Sequence, residues 1–187
     1  MERTPYLQSG SYDFWSCYRA AIEKLFEEDA KVIGNHPHLS EEQRAAGLSQ
    51  LQKTCTALKD VFDPLAFENM RAQGHWRLSY RAFHAALFIQ SYRDHLALQM
   101  PHRLLNSLMD MDERLTTWRM RHAQMAMRML GSKMGTGGSS GHQYLASAAA
   151  QHRVFDELMR LSTYYIPRSA LPEIPDELRR QLSLAGS

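Results

Sequence analysis

The sequence predicts an all-α protein, a bundle of long helices with one glycine-rich loop near its C-terminal end. Three observations lead there. Apolar residues recur at three- and four-residue steps in five stretches. Strand signals are nearly absent: only three valines occur, and no alternating apolar–polar run is present. Helix-stopping residues fall between the periodic stretches. At 187 residues the chain is long enough for one domain with a real core, and residues 1–187 read as a single all-helical domain.

The first helix is expected over about Tyr12–Ile33, where Phe14, Tyr18, Ile22 and Leu25 share a side and Gly34 ends the run. Ser40 with Gln43 forms a capping box for the second, which runs to about Phe62 before Asp63–Pro64 breaks it. A short helix is read over Pro64–Gln73, closed by Gly74. The third long helix covers about Ser79–Leu98, and the fourth begins at Pro101, a residue suited to a first helical turn. That fourth helix need not stop before Gly131, giving about 30 residues or about 45 Å. After the loop Gly131–Gly141, helix is expected over about His142–Thr163. An extended stretch over Ile166–Pro175 and a short terminal helix follow.

Composition excludes several classes. Hydrophobic residues make up 44% and charged residues 22%, the balance of an ordinary globular protein. The longest apolar run, Ala85–Ile89, is far too short to cross a bilayer, and no secretory signal is read. A net charge of +2 gives no case for nucleic acid or an anionic membrane. Cys17 and Cys55 are read as reduced thiols, so the expected compartment is the cytoplasm.

The fourth helix is the unusual one. Most of the eleven methionines fall between Met100 and Met134. Leu108, Met111, Leu115, Trp118, His122, Met125 and Met129 follow one another at steps of three or four and form one apolar stripe, with His122 inside it. An imidazole among apolar neighbours needs a partner for its nitrogens. A core histidine bonded to a carbonyl is the commoner solution; a haem or metal ligand is the rarer one, and a single imidazole suffices for haem iron. His36 and His38 flank a proline without completing a zinc set. His95 and His102 read as solvated, and His84 as buried without an obvious partner. Asp110, Asp112 and Glu113, with Arg114 and Arg119 nearby, read as a solvated ion-pair surface.

The loop Gly131-Ser-Lys-Met-Gly-Thr-Gly-Gly-Ser-Ser-Gly141 carries five glycines and four hydroxyl residues. Backbone amides there could hold a phosphate or a carboxylate. It lacks the order of a phosphate-binding P-loop and follows no strand. A plain flexible linker is the alternative.

These residues resemble the tryptophan 2,3-dioxygenase family. The resemblance rests on Arg77-Leu-Ser-Tyr-Arg-Ala82, Leu104 through Asp112, Thr117-Trp-Arg119, His122, Arg128-Met-Leu-Gly-Ser-Lys133, Gly135-Thr-Gly-Gly-Ser-Ser-Gly141, Tyr144-Leu145 and Leu161 through Arg168. It covers nearly the whole chain, and a histidine followed by this glycine pattern at this spacing is specific. The resemblance implies an all-helical, haem-dependent dioxygenase fold, with haem b, one per subunit, and His122 as the axial iron ligand. It implies Thr136 as a substrate contact, and Trp118, Gly135 and Gly137 beside the cofactor. It further implies L-tryptophan and O2 as substrates, oxidative cleavage of the indole C2–C3 bond to N-formyl-L-kynurenine, and a homo-oligomer, a tetramer. His142 and Ala146 depart from the tyrosine and arginine more usual in the family.

No stretch resembles the family's N-terminal part, which carries the distal histidine, an arginine for the substrate carboxylate and the indole-facing aromatics. No catalytic residue beyond the iron ligand is therefore assigned. The expectation is a truncated chain with weak or no activity alone. Two alternatives stay open: a non-catalytic haem-binding or oligomerising module, and a haem oxygenase for another aromatic substrate.

Overall fold

A computed structural model describes residues 8–9, 12–131 and 153–184 of the chain. Two-residue strands β1 (Gln8–Ser9) and β2 (Tyr12–Asp13) pair antiparallel, and every other regular element described is helical. The all-α expectation holds. Contacts divide the chain into two compact units, residues 1–99 with 163–187, and residues 100–162.

In the first unit, α1 (Phe14–Gly34) starts at Asp13, whose carboxyl accepts from the Trp15 and Ser16 amides. The second helix, α2 (Glu41–Phe62), has the capping box read from sequence: the Ser40 hydroxyl accepts from the Gln43 amide, and the Gln43 side chain accepts from the Ser40 amide. Such a cap contributes about 1 kcal/mol. The turn Asn35–Ser40 folds α2 back on α1, and Gly47 lets the helices close, because a Cβ there would sit 3.2 Å from the Ile33 Cγ2. Asp63 ends α2 and caps α3 (Pro64–Ala72), with Pro64 in its first turn. Gly74 closes α3 at φ +81°, a conformation other residues avoid. Next, α4 runs over Tyr80–Ser91.

An aromatic core fills this unit. Phe14 and Tyr18 of α1, Phe67 of α3, and Phe83 and Leu87 of α4 are fully buried. Tyrosine hydroxyls tie the core to main chain: Tyr80 donates to the Phe62 carbonyl, Tyr18 to Tyr164 and Tyr92 to Pro172. The last two bonds seat the C-terminal stretch, where two short 3-10 turns, Leu161–Tyr164 and Arg168–Ala170, precede α7 (Asp176–Leu184). Arg168 pairs with Asp94.

The sequence placed the start of the next helix wrongly. The fifth, α5, spans Leu96–Leu130, 35 residues, and Pro101 lies inside it. Proline lacks the amide that would bond one turn back and its ring crowds the carbonyl there, and α5 absorbs that cost in its second turn. Gly131, at φ +63°, ends α5 where expected. In the second unit α5 is accompanied by α6 (Asp156–Arg160). The helix expected over His142–Thr163 is thus short in its described part; residues 142–152 lie outside the described ones.

His84 is enclosed by this core. Its ring lies 4.1 Å from that of Tyr80, 4.5 Å from Trp15 and 5.3 Å from Phe62. Nδ1 bonds the Tyr80 carbonyl at 2.8 Å, and Nε2 has no hydrogen-bond partner. Burial pushes its pKa down to about 4, against the weaker pull of the Tyr80 bond. The folded state therefore holds a neutral imidazole that the unfolded chain protonates below its ordinary 6.5. Stability is fully present above about pH 6.5 and falls by about 3 kcal/mol as pH drops to about 4. Urea midpoints measured between pH 7 and pH 4 should fall accordingly, and His84→Phe should flatten that part of the curve. An unchanged slope in the variant would assign the acid sensitivity elsewhere.

Candidate functional site

At 35 residues, α5 presents two unlike sides. One side carries buried Asp112 and Ala123, eleven residues apart and so nearly in line. The other carries the stripe read from sequence, and it faces solvent rather than core. Leu108 is half-buried, but Met111, Leu115, Trp118, His122, Met125 and Met129 are all exposed, Trp118 at 61% and Met129 at 75%. Toward the N-terminus Met100 and Leu104 extend the exposed face. Scattered exposed apolar residues are ordinary, but a contiguous row along one helix face marks a binding surface.

His122 sits in that row. The commoner reading of it, a core histidine bonded to a carbonyl, does not fit an exposed side chain. One turn earlier, Trp118 stacks against the imidazole with ring centroids 5.7 Å apart and planes at 18°. Packing along the ring face narrows the rotations open to the imidazole and keeps it on the apolar face. Methionines on both sides supply an adaptable apolar surface. Asp110, Glu113, Arg114, Thr117 and Arg121 line a groove with Trp118, so charge borders one edge.

Among the described residues no three His, Cys, Asp or Glu side chains gather into a set that could hold a metal ion. Zinc or a bare divalent cation needs several protein ligands, and the described residues bring no such set together. A macrocycle that brings four of its own donors needs only one imidazole and a flat apolar surround. The face around His122 supplies both, so the residues present fit a haem.

The other sequence-read positions fall as follows. Gly135, Thr136 and Gly137 lie outside the described residues, as do His142, Tyr144 and Ala146. The rings of His36 and His38 lie 6.0 Å apart in an isolated turn. His95 and His102, read as solvated, each bury an Nδ1 without a hydrogen-bond partner. Asp112 corrects the reading of a solvated acidic cluster. It is 2% exposed, and its two carboxyl oxygens accept from the amides of Val154 (2.9 Å) and Phe155 (3.3 Å). Only its partners, more than forty residues away in sequence, reveal its role.

Comparison with known proteins decides the family. A family model described as tryptophan 2,3-dioxygenase matches residues 1–165, a span that includes His122 and the glycine-rich loop.

The chain belongs to the tryptophan 2,3-dioxygenase family.

It is 48% identical over 183 residues to the tryptophan 2,3-dioxygenase of Bdellovibrio bacteriovorus, a match covering 98% of this chain and 51% of that protein. The tryptophan 2,3-dioxygenases of Alteromonas mediterranea and Dictyostelium discoideum are 37% and 36% identical, over 97% and 100% of this chain and 50% and 47% of theirs. The chain therefore spans about half the length of the curated relatives it matches. No helix among the described residues is long and apolar enough to cross a membrane.

Exposure of Trp118 has a direct readout. Trp76 is 3% exposed and Trp15 is half-buried, so acrylamide should quench most strongly the emission that Trp118→Phe removes. Equal quenching of wild type and variant would place Trp118 out of solvent.

Proposed function

We propose that this chain is the haem-ligating portion of a tryptophan 2,3-dioxygenase. The reaction inserts both atoms of O2 across the indole C2–C3 bond of L-tryptophan and gives N-formyl-L-kynurenine, the first step of tryptophan breakdown by the kynurenine route. The observation that carries this reading is the exposed His122 imidazole, stacked on Trp118 in an apolar face, within a chain whose family match spans it.

In this reading His122 is the axial ligand of haem b, one per subunit. The iron, when bound, supplies the redox chemistry that dioxygen needs to react with an aromatic ring. The chain's own residues bind and orient. Trp118 holds the imidazole plane, and Met125 and Met129 would lie against a bound macrocycle and keep water from the ligand. By the family resemblance Gly135 and Gly137 would border the cofactor, and the Thr136 hydroxyl would take the amino-acid end of L-tryptophan. The glycine amides suit a carboxylate better than an apolar wall would.

The distal groups are not assigned to any residue of this chain, and turnover by these 187 residues alone is proposed to be weak or absent. Assembly is proposed as a homotetramer, supported by apolar α5 surface beyond the reach of one macrocycle, Met100 and Leu104 included. The cytoplasm is the proposed compartment, in keeping with unpaired Cys17 and Cys55.

The test is spectroscopic. Reduced wild-type chain loaded with haem should give a histidine-ligated Soret band, and His122→Ala should lose it, with exogenous imidazole restoring it. A ferrous spectrum unchanged by the substitution would overturn the assignment. A ligated spectrum that does not respond to L-tryptophan, even with the remaining half of a relative supplied, would favour a haem-binding module without dioxygenase activity.

A further inference from the structure

The apolar row on α5 is bordered by charge. Arg114 and Arg121 line one groove with Trp118, together with Asp110, Glu113 and Thr117. At about 100° per residue, Trp118 and Met125 lie about 40° and 60° round the helix from His122, and Arg121 about 100° on the same side. Buried Ala123 lies about 100° round the opposite way. Arg121 therefore stands on the solvent side, just beyond the indole and the Met125 thioether, and it is exposed. Along the axis it is one residue from His122, about 1.5 Å.

An exposed arginine is ordinary; the lack of a counter-charge is the informative part. On a helix, side chains within reach stand three or four residues away. For Arg121 those are Thr117, Trp118, Gln124 and Met125, none of them acidic. Arg114 differs, with Asp110 one turn before it. Asp110 and Glu113 precede Arg121 by eleven and eight residues, at least about 12 Å along the axis. Among the described residues Arg121 makes no ion pair or hydrogen bond. Arg128, seven residues on, lies in the last turn, where a positive charge answers the helix dipole. Arg121, a turn and more further back, has no such role.

We propose that the Arg121 guanidinium receives a carboxylate of the group bound at His122, one of the two haem propionates. The inference rests on the haem reading above. Haem b is an apolar disc with both carboxylates on one edge, so a face that suits it needs a cation at the border of an apolar surface. Trp118 and Met125 offer the surface, and Arg121 offers the cation. A guanidinium presents parallel N–H donors that match a carboxylate bidentately. The pairing also sets the rotation of the macrocycle about the iron–imidazole axis, with its carboxylate edge toward Arg121.

The experiment titrates the reduced, intact chain with haem b and with haem dimethyl ester, whose carboxylates are capped, and reads the Soret band. Arg121→Gln should bind haem b roughly 10-fold more weakly, the scale of a hydrogen bond to a charged group, and bind the diester as wild type does. Arg121→Lys should recover part of the loss, because it keeps the charge and loses the fork. The position is exposed on α5, so these substitutions leave the fold intact. Equal weakening of Arg121→Gln toward both porphyrins, or toward neither, would overturn the inference. Arg114→Gln should weaken haem b less than Arg121→Gln does; an equal or larger loss would reduce the effect to net charge and overturn it as well. A wild-type chain that gives no histidine-ligated band with either porphyrin would overturn the haem reading itself, and this inference with it.

Discussion

An imidazole on an exposed apolar helix face is the constraint on which the rest depends. Apolar side chains along α5 gain roughly 25 cal/mol for each Å² they remove from water. In the described residues Met111, Trp118, Met125 and Met129 stay in solvent, so that gain is left to a ligand or a partner. The same surface determines which ligand can use His122. A bare cation would need further donors, and none gather there among the described residues. A flat apolar group with its own metal satisfies the methionines, the indole and the imidazole together.

The first unit is organised around its own aromatic core. Its aromatic rings interlock around His84, Phe67 and Phe83, and tyrosine hydroxyls fasten the C-terminal stretch to main-chain carbonyls. The acid sensitivity lodged at His84 comes from this packing, because an enclosed ring with one satisfied nitrogen cannot be hydrated when it charges. The exposed apolar row is thus carried by α5, while the buried imidazole of His84 lies in the aromatic core.

Local signals in the sequence were read correctly where local chemistry decides the outcome. Ser40 and Gln43 form their capping box, Asp63–Pro64 separates α2 from α3, and Gly131 ends α5. The errors fall where distant residues decide. Pro101 looked like a helix start, yet α5 begins at Leu96 and absorbs it. The apolar stripe was found correctly, but periodicity states only that a face is apolar, and this one is left open. Asp112 looked solvated because its neighbours in sequence are charged; its burial comes from Val154 and Phe155. The ligand role proposed for His122 rests on the family resemblance, since spacing alone favours a core histidine. Thr136 and its glycines were legible as a motif and lie outside the described residues.

Hydroxyl-radical footprinting of the reduced chain during a haem titration tests the central claim most directly. Binding at His122 predicts that Trp118, Met125 and Met129 lose reactivity together, saturating at one haem per chain, while Val32 and Leu65, exposed on α1 and α3, stay reactive. Haem uptake that leaves those three residues as reactive as before would contradict it.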